Sequence, residues 1–410
     1  MLQEFWHNFT HNLFKPLLLF FYFGFLIPIL KVRFEFPYVI YQGLTMYLLL
    51  AIGWHGGEEL AKINSGIWVI VGFMVLGFIL NFLIGGIAYV LMGWLTSLRR
   101  VDRATVAGYY GSDSAGTFAT CVAFLAAVNV AFNAYMPVML AVMEIPGCLV
   151  ALYFVALLRH RGMDAAGNMA DEPGYTPPVK VGVGPGTAAK PPHGQSLEAE
   201  HERGVEQELE LSMEKLDHPD WEPEQSPPRT QSKKVPIFSR ELLQEVFLNP
   251  GLVLLVGGIA IGLISGLQGQ KVVQDDDKFF VLAFQGVLCL FLLEMGMTAS
   301  RKLRDLRSAG PGFIFFGLLA PNIFAPLGII VAHAYASLTH ADFKPGTYVL
   351  FAVLCGAASY IAVPAVQRLA IPEASPTLPL AASLGLTFSY NVTIGIPLYV
   401  EINRLVAHWF

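Results

Sequence analysis

Residues 66–95, GIWVIVGFMVLGFILNFLIGGIAYVLMGWL, run for 30 residues without a charged side chain. A helix apolar on every face must be dissolved in lipid or enclosed by protein. A hydrocarbon core about 30 Å thick is crossed by roughly 20 helical residues, and several other runs in the chain reach that length. With 54% hydrophobic and only 14% charged residues among 410, the chain reads as an integral membrane protein. The runs are long and continuous, unlike the alternating segments of about 10 residues in an outer-membrane barrel. A formal net charge of −5 has little meaning for a chain mostly in lipid, and nothing supports nucleic-acid binding.

The apolar runs predict ten membrane-spanning helices, at residues 12–30, 37–54, 66–95, 104–128, 136–158, 250–267, 279–298, 311–337, 347–368 and 378–402. The first, NLFKPLLLFFYFGFLIPIL, is too long and aromatic for a signal-peptide core and reads as a membrane helix. Cys121, Cys148, Cys289 and Cys355 all lie in apolar runs without a CxxC pair, so they read as small core residues.

Residues 160–240 differ in kind. They are rich in Pro, Gly, Glu and Lys and nearly lack aliphatic runs, as expected of a solvated, largely disordered linker. Within it, the stretch 204–216 has helix-forming composition, with Val205, Leu209, Met213 and Leu216 on one face, either as a transient helix or as a docking helix for a soluble regulator. The linker divides the chain into a first membrane repeat (1–159), the linker (160–240) and a second membrane repeat (241–410). Arginines and lysines concentrate in the loops after odd-numbered spans, among them Arg99, Arg100, Arg103, Arg301 and Arg304. The positive-inside rule then places the linker in the cytoplasm and both termini outside.

Five spans on each side suggest a repeat. The second span aligns on the seventh without gaps, pairing Gly53 with Gly296 and Leu60 with Leu303. A repeat with an odd number of spans is inverted in the membrane, the architecture of secondary transporters. The fourth span of each half is interrupted, by GSDSAG from Gly111 to Gly116 and by Gly356, Ser359, Tyr360 and Pro364. Paired discontinuous helices point to a midplane binding site. A half-helix starting inside the protein offers unpaired N–H groups and roughly half a positive charge to an anion. Ser112, Ser114, Thr117 and Ser359 supply hydroxyls to complete its coordination, or simply bond to the preceding turn.

An acidic side chain at mid-membrane costs about 2.5–3.5 kcal/mol on insertion scales, so Asp113, Glu144 and Glu294 call for partners or ions. Glu294 lies nearer the cytoplasmic end, and His55, Glu58 and Glu59 read as helix-end residues. Asn391 and Thr393 lie deep in the tenth span, where ion coordination and helix–helix hydrogen bonding are both open. No HExxH or nucleophile–base pattern suggests an enzyme.

The stretches GYYGSDSAGTFA, VMEIPG, LEMGM, AASYIAVPAVQRLAIPEASPTLPLA and TFSYNVTIGIPLY together resemble the sodium-dependent bicarbonate transporter family, in order and on both sides of the linker. The resemblance implies ten transmembrane helices in two inverted five-helix repeats, divided into gate and core domains. It implies a homotrimer in the bacterial inner membrane that imports bicarbonate with Na+ by an elevator movement, and a soluble nitrogen-regulator-like signalling protein at the cytoplasmic face.

Carried onto this chain, the breaks extend from Gly111 to Thr117 and from Ala357 to Pro364. The anion site falls on Gly111, Ser112, Asp113, Ser114, Gly116 and Thr117, and on Ser359, Tyr360, Ile361 and Ala362. Sodium ligands come from Asp113, Glu144, Ser359, Asn391 and Thr393. The family pattern has an aspartate where this chain has Tyr360 and an apolar residue where it has Asp113. Permeation of another small anion or organic acid, H+ coupling through Asp113 or Glu144, and a membrane sensor acting through the linker are the other readings.

Overall fold

The computed structural model of the chain describes residues 14–62, 66–177, 246–306 and 310–410. Residues 178–240, including the proposed linker helix at 204–216, lie outside them. Among the described residues every regular element is helical, which satisfies backbone polar groups within each segment, as lipid requires.

The first half runs through α1 (Pro16–Ile29), α2 (Tyr38–Leu60), α3 (Ile67–Leu95), α4 (Arg100–Tyr110), α5 (Ala115–Ala127) and α6 (Met136–His160). The second runs through α7 (Pro250–Gln268), the short α8 (Gln270–Asp277) and a π-helical turn leading into α9 (Phe284–Asp305). There follow α10 (Pro311–Thr339), α11 (Pro345–Gly356) and α12 (Ala362–Ala370). The final helix starts as α13 (Thr377–Leu380), passes through π-helical stretches at Ala381–Phe388 and Asn391–Gly395, and ends as α14 (Ile396–Val406). Among the described residues, five helices are long and apolar enough to cross a membrane: Ile67–Leu95, Met136–His160, Pro250–Gln268, Lys278–Leu303 and Pro311–Thr339. The protein is thus a polytopic helical membrane protein.

The halves interlock. α1 lies along α9 and α2 lies along α7, with glycines at both seams. A Cβ on Gly24 would overlap the Leu293 carbonyl of α9, and one on Gly296 would overlap the Phe21 carbonyl of α1. In the other pair a Cβ on Gly53 would come 2.9 Å from the Gly258 Cα, and one on Gly258 would come 3.2 Å from the Gly53 Cα. Such close backbone approach is how small residues join helices where lipid removes the hydrophobic drive to associate. The remaining helices pack mainly among themselves, α6 against α3 and α4, and α10 against α11 and α3.

Residues 161–177, which composition assigned to the disordered linker, are instead folded onto the helix ends. Asp164 is buried and accepts backbone N–H bonds from Ala166, Asn168 and Thr176 at 2.9, 2.7 and 2.8 Å. Glu172 accepts the Arg100 N–H at 2.8 Å and the Met169 N–H at 2.8 Å, while Arg100 forks onto Asp171. Arg99 donates to the Ala166 carbonyl at 2.9 Å and pairs with Asp102 at 2.8 Å. Composition misled here because the holding groups are side chains and amides whose pairing depends on α4 being in place.

Candidate functional site

Both interruptions become true helix breaks, each narrower than the sequence suggested. α4 closes at Gly111, whose N–H bonds to the Ala107 carbonyl at 2.9 Å. Ser114 is extended and caps α5, its Oγ accepting from the Thr117 N–H at 3.2 Å and the Thr117 hydroxyl at 2.8 Å. The first break is therefore Gly111 to Ser114, and Gly116 and Thr117 belong to the opening turn of α5. Ser112 donates to the Glu144 carbonyl of α6 at 2.8 Å. Gly147 makes that approach possible, since a Cβ there would sit 2.5 Å from the Ser112 Cβ and 2.7 Å from its N.

The second break runs from Ala357, extended at φ −86°, ψ 175°, to Ile361, which precedes α12 without a side-chain cap. Pro364, read from sequence as part of the break, is the third residue of α12. First-turn amides have no intrahelical partner, so a proline there removes nothing the helix needs and starts it rather than breaking it.

The breaks are bonded to each other. The Ser359 N–H donates to the Tyr109 carbonyl at 2.8 Å, and the Tyr109 hydroxyl donates to Gln367 of α12 at 2.8 Å. The π-helical stretches of the last helix hold both. Asn391 donates to the Gly356 carbonyl at 2.9 Å and accepts from the Tyr399 hydroxyl at 2.6 Å. Thr387 donates to the Gly317 carbonyl at 3.0 Å, which leaves its oxygen to accept from the Tyr110 hydroxyl at 2.6 Å. π-helical stretches in longer helices occur frequently at functional sites.

Against this well-satisfied frame, a few buried polar groups stand without a hydrogen-bond partner. Among the described residues, those at the breaks are both carboxylate oxygens of Asp113, the Ser359 hydroxyl and the Tyr360 hydroxyl, the last lying against Ser114 and Gly116; His55 Nδ1, Asn81 Oδ1, Arg103 Nε, Tyr135 Oη and Glu294 Oε2 are also without a partner. Asp113, Ser359 and Tyr360 are 2%, 1% and 8% exposed, so water does not compensate them, and buried polar groups are seldom left unpaired without cause. Tyr360 reaches over the start of α5, where a Cβ on Gly116 would overlap its hydroxyl, and its ring packs edge-on against Phe388 at 5.7 Å. Phe291 of α9 covers the same glycine and stacks on Tyr41 of α2 at 5.9 Å. Glu144, also buried, acts on Asp113 as a like charge.

The residues proposed from sequence thus divide. Gly111, Ser112, Asp113, Ser114, Gly116, Thr117, Ser359, Tyr360 and Ile361 line the two joined breaks, and Ala362 opens α12 beside them. Ser112, Ser114 and Thr117 spend hydrogen bonds on the frame. Asn391 reaches the end of α11 but is occupied by Gly356 and Tyr399. Thr393 bonds its own helix at the Ser389 carbonyl, 2.7 Å away, and faces a cavity lined by Phe21, Tyr22 and Leu303; it is not brought to the breaks. Glu294 is turned to Thr298 at 2.8 Å with its other oxygen unpartnered. His55 borders an apolar cavity of about 210 Å3 that adjoins Phe118 on α5. That cavity lies one turn beyond the first break and holds none of the unpartnered groups there. Sequence reasoning missed Tyr109, Tyr110, Gln367, Thr387 and Phe291, although all but Phe291 lie within the motifs already quoted.

The profile of the Na+-dependent bicarbonate transporter superfamily matches residues 16–404. A comparison with curated proteins gives no match.

Proposed function

Because the chain belongs to the Na+-dependent bicarbonate transporter superfamily, we propose that it imports bicarbonate together with Na+ by secondary active transport. The observation that carries this reading is Asp113, whose buried carboxylate has no partner on another residue among the described ones and feels the charge of a second buried acid, Glu144. Two ionised carboxylates buried close to one another repel, and burial away from water strengthens the repulsion. An anion added beside them raises that cost, so a cation has to enter with it. Sodium suits such a site, because carboxylate, hydroxyl and main-chain carbonyl oxygens are the ligands the breaks present. The anion is favoured by the N-termini of α5 and α12, which present main-chain N–H groups without a lysine or arginine.

The mechanism follows from how the helices pair. α1 with α9, and α2 with α7, form the fixed gate; the broken helices with α3, α6, α10 and the last helix form the moving core of an elevator. Ten spans in two inverted repeats fit that pairing, since exchanging the halves turns α1–α9 into α7–α2. The glycines follow the same exchange: Gly24 lies eight residues after Pro16 (24 − 16), and Gly258 eight after Pro250 (258 − 250). Each faces the glycine that the repeat alignment equates, Gly296 and Gly53. The two halves would be separated by the 160–240 linker, whose folded start at 161–177 joins the broken helices. Both termini outside, a cytoplasmic linker, a homotrimer in the bacterial inner membrane and a nitrogen-regulator-like partner complete the reading.

Coupling to H+ is the second reading, favoured by the same buried acids, which can share a proton instead of a sodium ion. Radiolabelled bicarbonate uptake into proteoliposomes, with and without a Na+ gradient at fixed pH, decides between them. Sodium coupling predicts uptake lost when choline replaces Na+; H+ coupling predicts uptake retained. Failure of bicarbonate and of other small anions to move under any gradient overturns the transport reading.

A further inference from the structure

We propose that a two-chamber cavity at the end of α5 away from the first break binds a small cationic amphiphile, a primary amine carrying one apolar ring. The inner chamber, about 210 Å3, is walled by Ala51 and Ile52 of α2, Val122 and Ala123 of α5, Phe280 of the π-helical turn and Phe284 of α9. An apolar cavity of about 150 Å3 already takes a benzene ring. The outer chamber, about 380 Å3, is walled by Glu59 and by residues of the loop after α5, among them Asn129 and Ala134. The two share His55, Ala126 and Phe132, so an apolar body seated in the first puts its head in the second.

Charge selects that head. Among the described residues lining the two chambers, Glu59 is the only acid and there is no lysine or arginine. Glu59 and its neighbour Glu58 share one lysine, Lys62, which reaches Glu58 at 2.9 Å. Lys62 is 47% exposed, and exposed ion pairs are weak, so a ligand ammonium can replace it on Glu59 while Lys62 keeps Glu58. The end of α5 adds to the preference, because the last carbonyls of a helix carry partial negative charge. That end already receives one ammonium group: Lys15 Nζ donates to the Ala127 carbonyl at 3.3 Å and lies 5.4 Å from the centre of the Phe124 ring. Phe132, bordering both chambers, lets a ligand ammonium meet an aromatic ring in the same way. The inner walls come from both bodies of the proposed elevator, α2, the π-helical turn and α9 from the gate and α5 from the core. A bound amine favours the arrangement in which the cavity exists, and on the elevator reading it holds the core against the gate without occupying the anion site.

Phenethylamine is the probe, and 3-phenylpropionate, with the same ring and tether but a carboxylate head, is its control. The thermal midpoint of the detergent-solubilised full chain is expected to rise with phenethylamine concentration, at an apparent Kd at least about tenfold below that of 3-phenylpropionate. Glu59→Gln is expected to bring the two within about threefold. Ala126→Leu, which fills the wall the chambers share, is expected to abolish the response to both. No rise with phenethylamine, an equal rise with both compounds, or a preference unchanged in Glu59→Gln overturns the proposal. If Ala126→Leu does not fold, the unsubstituted protein and Glu59→Gln decide. In proteoliposomes phenethylamine is expected to lower the maximal rate of bicarbonate uptake with KM unchanged, and competition with bicarbonate overturns the wedge between gate and core. The midpoint is read without transport, so binding is decided even where the protein moves no bicarbonate and the functional reading fails.

Discussion

The Ser359 N–H donates to the Tyr109 carbonyl at 2.8 Å, one backbone bond across 250 residues (359 − 109) that ties the second break to the helix end preceding the first. Tyr109 is held from the other side as well, its hydroxyl donating to Gln367 at 2.8 Å while Gln367 donates to the Ser375 carbonyl at 3.0 Å. The two interruptions form one polar knot inside an apolar protein.

Gln367→Leu leaves the buried Tyr109 hydroxyl unpaired and removes the Ser375 contact. An unsatisfied buried group costs about 1–3 kcal/mol, so the thermal midpoint of the detergent-solubilised protein should fall. Tyr109→Phe should be no worse and should not add to it, because both remove the same bond. Additive losses in the double variant contradict the shared bond.

Gly147→Ala places a methyl against backbone on the first break, overlapping the Gly108 carbonyl and lying 2.7 Å from the Ser112 N. Backbone cannot turn aside as a side chain can. Overpacking costs typically about 1–3 kcal/mol and more against rigid neighbours, so this variant should be destabilised and inactive in uptake. Gly86→Ala, where nothing lies within 4 Å of the added carbon, is the control and should be unaffected.

Arg159 at the end of α6 grips Glu373 through contacts of 2.9 and 2.8 Å and also donates to the Ala370 carbonyl at 2.7 Å. The pair is partly buried, with side chains 25% and 17% exposed, between the surface and interior cases. Arg159→Leu should cost about 1–3 kcal/mol and loosen the loop after α12. Hydrogen exchange at residues 371–376 reads that directly; unchanged protection there contradicts the prediction.

The folded start of the linker carries a pH dependence. Burial alone would push the Asp164 carboxyl up, but the N–H donors of Thr176, Asn168 and Ala166 outweigh it and hold the carboxyl below its ordinary range. A depressed value in the folded state means that its stabilisation is full above the unfolded value near about 4 and is lost as pH falls through the lower folded value. Pepsin should therefore begin to cut within 161–177 only as pH falls from about 4 toward 2. Asp164→Asn should be cut across the whole window. Equal cleavage of the unsubstituted protein throughout contradicts the role of this carboxylate.

What the sequence determined alone is the helical class, the long apolar helices and the two interruptions. Lipid leaves the backbone no alternative to helix, so the apolar run at 66–95 reappears as Ile67–Leu95, and 311–337 as Pro311–Thr339. The polar, glycine-bearing stretches were legible as breaks for the same reason, because nothing else at that depth tolerates them. Only the tertiary structure decided where the breaks end, that Pro364 opens α12, that residues 161–177 fold, and that Asn391 is occupied while Asp113 is not. The links between the breaks depend on partners far away in the chain: Tyr110 bonds a residue 277 positions on, and Tyr109 one 258 positions on. A helical pattern speaks only of neighbours within a turn. Whether a buried polar side chain is held as a strut depends on what the rest of the protein offers it, and among the described residues no other residue donates to the Asp113 carboxylate.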